Sequence, residues 1–149
     1  MQERCKIGVV IGNANSPHAV NIMKGIDQAS KECDVQLMYF MNVSSPYTAQ
    51  LYPPDTSIGW DYQKSAIYDY ARYVKADVLI MTYGMMSIFM KSDYGKQYLE
   101  YFRNVPCVLI NEQTDRPNWT SIIIDNYNGI YELVEHLVRD HGYHNFAFL

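Results

Sequence analysis

The side chains best equipped for hydrogen-bonding chemistry follow short apolar runs. Asn13, Asn15 and His18 come after the first run, Tyr83 after the third, Asn111 and Glu112 after the fourth, and Asp125 after the fifth. Such groups can donate to and accept from a polar solute, and Tyr83 adds a ring face. Catalysis asks for more, a nucleophile within reach of a base or an acid and a base with separated pKa values. No matched set of that kind stands out. The first loop, Gly12-Asn13-Ala14-Asn15, is not a GxGxxG fingerprint, and neither a GxxxxGK[ST] phosphate loop nor a GxSxG elbow occurs. The expectation is therefore a binding protein without a cofactor, not an enzyme. Two of the residues carry alternative readings: His18 is either a ligand contact or an exposed residue at a helix start, and Asp125 either meets ligand or only caps the helix behind it.

Metal and redox chemistry have little support in the spacing. His136, His141 and His144 lie in or just after the last helical segment, and a five-residue separation does not put the first two rings on one helical face. These are expected to be surface groups, with no metal site. The cysteines, Cys5, Cys33 and Cys107, are odd in number and lack CxxC spacing, so they read as reduced thiols, two of them in apolar settings.

The elements that must position these residues alternate along the chain. Lys6–Ile11 is a β-branched run stopped by Gly12-Asn13, as in a strand buried on both faces of a parallel sheet. Ser16-Pro17 supplies an N-cap and a first-position proline for a helix to about Glu32, with Ile22, Ile26, Ala29 and Cys33 at helical spacing. A second strand spans Val35–Phe40. The segment from Ser44 to Gly59 carries Pro46, Pro53 and Pro54 without periodicity and reads as a long loop, either a cleft rim or a plain surface insertion. Ala66, Ile67, Tyr70, Ala71 and Val74 form the stripe of a second helix, followed by a strand over Val78–Thr82. Ser92-Asp93 opens a helix with Tyr98, Leu99 and Phe102 inward, and Pro106–Ile110 is the fourth strand. Ser121–Ile124 is the fifth. Asp125-Asn126 then starts a helix with Ile130, Leu133, Val134, Leu137 and Val138 on one side, ending near Gly142 in a left-handed conformation. Phe146–Leu149 begins a sixth apolar strand.

Alternation of this kind predicts an α/β fold, a doubly wound and mainly parallel sheet in the flavodoxin-like order 2-1-3-4-5, with helices on both faces. In such sheets the loops at the carboxyl ends of the strands form the binding crevice. Those loops are 12–18, 42–61, 83–87, 111–119 and 125–128.

Bulk properties narrow the class. A chain of 149 residues, 48% hydrophobic and 19% charged, is one ordinary folded domain in size. Its formal net charge of −4, without a dense Lys/Arg cluster, argues against nucleic-acid binding by this segment. No apolar run reaches the roughly 20 residues of a membrane span, and the amino-terminal run is too short for a signal-peptide core. A cytoplasmic location is expected. The 14 tyrosines either line a cleft or sit half-buried at the core edge.

The run KIGVVIGNANSP with the helix KGIDQASKE, and above all VPCVLINEQTDRPNWTSIIIDNYNGIYELVEHLVRDHGYHNFAFL, resemble the sensor domains of LacI/GalR-type regulators. The similarity covers nearly the whole chain. It implies a periplasmic-binding-like type I module, of which residues 1–124 are the N-terminal ligand-binding lobe and residues 125–149 open a truncated second lobe. It further implies a small polar ligand (a sugar, a nucleoside or similar) in an interlobe cleft, and an output domain elsewhere in the full-length protein. His18-Ala19 departs from the bulky aromatics many members place after the first-loop proline, which speaks against a typical sugar. The tyrosine-rich stretch from Tyr62 to Tyr70 resembles sensors attached to outputs such as diguanylate cyclases or kinases. With part of its cover missing, the last helix is expected to drive a homodimer or a strand exchange. The rival readings are a flavodoxin-like nucleotide- or phosphate-binding enzyme domain and a pure interaction module.

Overall fold

In the computed structural model, residues 4–43, 62–87, 90 and 92–147 are described, without the side chains of residues 62–65 and 92. The expected loop between Ser44 and Gly59, the Ser92 cap and the last two residues of the expected sixth strand lie outside the described residues. Five strands form one sheet: β1 (Lys6–Ile11), β2 (Gln36–Met41), β3 (Val78–Met81), β4 (Cys107–Ile110) and β5 (Trp119–Ile122). Their order is β2-β1-β3-β4-β5 and every pairing is parallel, as the alternating pattern predicts. The described helices are α1 (Pro17–Cys33), α2 (Tyr62–Tyr70), α3 (Tyr83–Ser87), α4 (Ser92–Tyr101) and α5 (Asn126–Arg139).

β1 carries the sheet because it pairs on both sides, Val9 with Tyr39 of β2 and with Ile80 of β3. Its neighbours along the chain point to opposite faces. Val9 and Ile11 join Ala14 and Ala19 under α1, while Val10 joins Phe40, Leu79, Met81 and Leu109 on the other face. Val9, Val10 and Ile11 are wholly excluded from solvent, each contributing on the order of 1.5–3 kcal/mol.

The second face is closed by aromatic side chains of α2 and α4. Tyr68 and Tyr98 are both fully buried, and the Tyr98 hydroxyl donates to the Tyr68 carbonyl at 2.9 Å. Phe102 meets Tyr98 edge-on at 5.2 Å, so the expected inward set of α4 is present. In the expected stripe of α2, Ala71 is buried and Ile67 and Val74 pack against the core, but Tyr70 is corrected: it is exposed, and Tyr68 points inward instead. The helix ends at Tyr70 and Ala71, Arg72 and Tyr73 bond three residues back instead of four, which rotates the side chains relative to a continuing helix. Arg72 then lies over the Tyr101 ring at 3.8 Å and pairs with Asp69 at 2.8 Å.

Three further expectations change. β5 starts at Trp119, two residues before Ser121, because Cys107 pairs with Trp119 and the Asn111 N–H closes the ladder on the Ile122 carbonyl at 2.8 Å. Ile123 and Ile124 fall past its end and are exposed. Trp119 is buried, its indole N–H donating to the Val105 carbonyl at 3.1 Å. Phe146 and Ala147 are not in a strand. Of the cysteines only Cys107 is buried; Cys33, on the outer end of α1, is exposed along with Cys5. The final helix does end as expected, with Gly142 at φ 66°.

Two substitutions test this packing. A methyl group on Gly12 would lie 2.6 Å from the Met85 carbonyl group and 2.8 Å from the Met86 nitrogen, all backbone atoms that cannot rotate away. Gly12→Ala is expected to destabilise the chain by about 1–3 kcal/mol, read as a lower urea midpoint at unchanged slope. Tyr98→Phe removes one buried hydrogen bond and is expected to lower stability by about 0.5–1.5 kcal/mol in the same assay. A midpoint equal to the parent's in either variant contradicts the packing described.

Candidate functional site

The carboxyl end of β1 is held against β3 by backbone contact. The Gly12 N–H donates to the buried Thr82 hydroxyl at 3.1 Å, and Thr82 in turn donates its N–H to Val10 at 3.1 Å. The chain then turns at Asn13, which takes a left-handed φ of 50°. Asparagine tolerates that region better than other side-chain-bearing residues. The Asn13 N–H donates to Oδ1 of Asn42 at 2.8 Å, and the Ala14 N–H to the Asn42 carbonyl at 2.8 Å. Asn42, buried directly after β2, thus ties the first loop to the second. Asn15 is exposed on the same loop.

Ser16 caps α1, its hydroxyl accepting from the Ala19 N–H at 3.2 Å, and Pro17 presets the first helical φ. His18 therefore projects, exposed, from the first turn of a 17-residue helix whose amino end carries partial positive charge. Across the crevice Asn111 follows β4 in a second left-handed turn, φ 60°. Its side chain lies 3.0 Å from Nε2 of His18, linking loops 93 residues apart in sequence.

Tyr83, at the start of α3, is partly buried. Burial pushes its hydroxyl pKa up, and the nearby Glu112 carboxylate adds to the shift. Gly95 in α4 leaves room for that hydroxyl, since a Cβ there would sit 2.5 Å from its oxygen. Tyr83 and Glu112 line a hollow of about 500 Å³ with Leu99, Leu109, Asp115 and Trp119. Arg116 also borders it, stacked over Trp119 at 4.6 Å and paired with Glu100. The thiol behind this wall, Cys107, is pushed up to about 12 by burial, well away from a reactive thiolate.

Asp125 lies past β5 and caps α5. One carboxylate oxygen accepts from the Asn128 N–H at 3.0 Å and the other from its side-chain amide at 2.5 Å. Those bonds hold its pKa below the ordinary carboxylate value. Of the residues expected to contact ligand, His18 meets Asn111 directly and Tyr83 neighbours Glu112. Asn42 and Thr82 are additional site-building residues. Asn42 had a legible signal, since Asn13 and Asn111 also come shortly after the end of a strand. Among the described residues no three His, Cys, Asp or Glu side chains are placed to hold a metal, and no described helix is long and apolar enough to cross a membrane.

The chain matches no protein-family model and no curated protein. Among solved structures it is similar to GanP, a glucose-galactose binding protein from Geobacillus stearothermophilus, at 17% identity and a TM-score of 0.59 over 95% of this chain and 44% of that one. It is also similar to a LacI family transcriptional regulator from Mycobacterium smegmatis, at 17% identity and a TM-score of 0.53 over 89% of this chain and 40% of that one. The chain thus spans less than half the length of either structure. It shares its five-stranded parallel α/β fold with part of each of these two structures, the fold that the resemblance to LacI/GalR sensors implies.

Proposed function

We propose that this chain is the ligand-binding lobe of a small-molecule sensor in a bacterial transcriptional regulator or signalling protein, and that it holds a small polar solute without transforming it. The observation that carries the reading is the Asn111–His18 contact. It brings an imidazole and a carboxamide to the crevice mouth, the mix of donors and acceptors a hydroxyl-rich solute such as a sugar or nucleoside requires. Asn13, Asn15, Tyr83, Glu112 and Asp125 are the further contacts on the same rim. Both folds to which this one is similar belong to proteins of that general purpose, a sugar-binding protein and a regulator.

In this reading residues 1–124 form the lobe, and residues 125–149 lead toward a second lobe that closes over the solute. Closure transmits a signal only through a difference in affinity between the open and closed arrangements. The output domain belongs to the full-length protein, acting in the cytoplasm. Ile130, Leu133 and Val134 are exposed along α5, which has no buried residue, and we assign this stripe to a homodimer contact.

Titrating the chain with a panel of hexoses, pentoses and nucleosides, followed by amide NMR, is expected to shift signals in residues 12–18, 83–84 and 111–112. His18→Ala and Asn111→Gly, the latter keeping the left-handed turn, are each expected to weaken binding about tenfold, or about 1.4 kcal/mol. Silence of those loops toward the whole panel, or chemical conversion of a bound compound, overturns the proposal. For the dimer, light scattering is expected to give twice the chain mass for the parent and the chain mass for Leu133→Asp; a monomeric parent removes that assignment.

A further inference from the structure

Helix α5 ends in a turn that changes what its histidines can do. The Gly142 N–H donates to the Val138 carbonyl at 3.1 Å and the Tyr143 N–H to the Leu137 carbonyl at 3.1 Å, with Gly142 in the left-handed region. The chain reverses at Gly142, directly after His141, and the His141 ring lies against that of His136. The two imidazoles meet edge-on with centroids 4.8 Å apart, and Tyr143 stacks on His141 at 5.8 Å, 14° from parallel. Their Nε2 atoms lie 3.1 Å apart, whereas a five-residue spacing on a continuous helix keeps the rings on different faces.

The proton positions follow from the neighbours. Nδ1 of His136 lies 2.5 Å from Oδ2 of Asp140, and an ionised carboxylate only accepts. Nδ1 therefore holds the proton, and in the neutral ring Nε2 carries a lone pair directed at His141. Two imidazole nitrogens bound to one zinc ion at about 2.0–2.1 Å and the tetrahedral angle stand about 3.3–3.4 Å apart. The observed 3.1 Å is a few tenths of an ångström shorter, a difference that a small ring rotation removes. A carboxylate behind a ligating histidine is also the usual outer-shell partner, fixing tautomer and ring orientation.

We propose that His136 and His141 form a two-imidazole binding site for a divalent transition-metal ion of the zinc, nickel or copper type, with Asp140 as the positioning residue and water in the open coordination places. On binding, His141 moves its proton from Nε2 to Nδ1 and presents its lone pair to the metal; no electron changes hands. The ion bridges the last turn of α5 to the chain beyond it, clasping a helix that buries no residue of its own. This site is independent of the solute crevice.

The test uses the full chain carrying Cys5→Ser and Cys33→Ser, which removes the exposed thiols that would compete for metal. Zinc chloride is titrated at neutral pH by calorimetry, with imidazole NMR read in parallel. A single equivalent is expected to bind and to shift the ring signals of His136 and His141, leaving those of His18 and His144 in place. His136→Gln and His141→Gln are each expected to weaken zinc binding by about tenfold or more, and Asp140→Ala by about tenfold with stoichiometry retained. His144→Gln, with unchanged affinity and circular dichroism, controls for folding and for the remaining histidine at this end of the chain. Unmoved His136 and His141 rings at saturating zinc, or equal affinity in the parent and both glutamine variants, overturns the proposal.

Discussion

Where β1 leaves the sheet, the backbone of Gly12 lies against the backbone of Met85 and Met86, and its N–H donates to the buried Thr82 hydroxyl. No side chain separates the two segments, so the ends of β1 and β3 are held at a fixed spacing. The left-handed turn at Asn13, the Ser16 cap and the direction of α1 all start from that point. Displacing Gly12 would move His18 relative to Asn111, because each is carried by a short turn from a paired strand. The geometry of the crevice is in this sense a property of the sheet core.

The electrostatic character of the crevice follows from what its side chains already do. His18 and Asn111 contact one another, Asn42 is engaged by Asn13, and Asp125 is occupied by Asn128. Arg116, which borders the hollow, is held by Glu100 and by the Trp119 ring. Burial of the Cys107 thiol and of the Tyr83 hydroxyl favours their protonated forms.

The two ends of the chain's stability differ in kind. β1, β3 and β4 place side chains such as Val10, Leu79 and Leu109 in a core shared with Tyr68, Tyr98 and Trp119. Helix α5 has the apolar periodicity of a packed helix, yet Ile130, Leu133, Val134 and Val138 stay exposed. Its order within the chain rests on local devices: the Asp125 cap, the Arg139–Glu135 ion pair at 2.9 Å and the bonds around Gly142. Local devices of this type are each worth a few tenths to about 2 kcal/mol, less than a buried aromatic side chain contributes.

The sequence by itself determined the strand and helix alternation, the parallel order, the inward face of α4 and the left-handed close of the last helix. Short β-branched runs bounded by Gly, Pro and Asn leave few other conformations open. It also pointed to the rim residues, since the topology requires loops after β1, β3, β4 and β5 to converge. Tertiary structure alone decided the start of β5 at Trp119, because register is a matter of which carbonyl a neighbouring strand offers. It likewise decided that Tyr68, and not Tyr70, enters the core, since either tyrosine borders the stripe of Ile67 and Ala71 and only the packed neighbours select between them. The pairing of His18 with Asn111 and of His136 with His141 belongs to the same class. Each joins groups whose separation in sequence says nothing of their separation in space, and only the folded backbone brings their ring and amide nitrogens together.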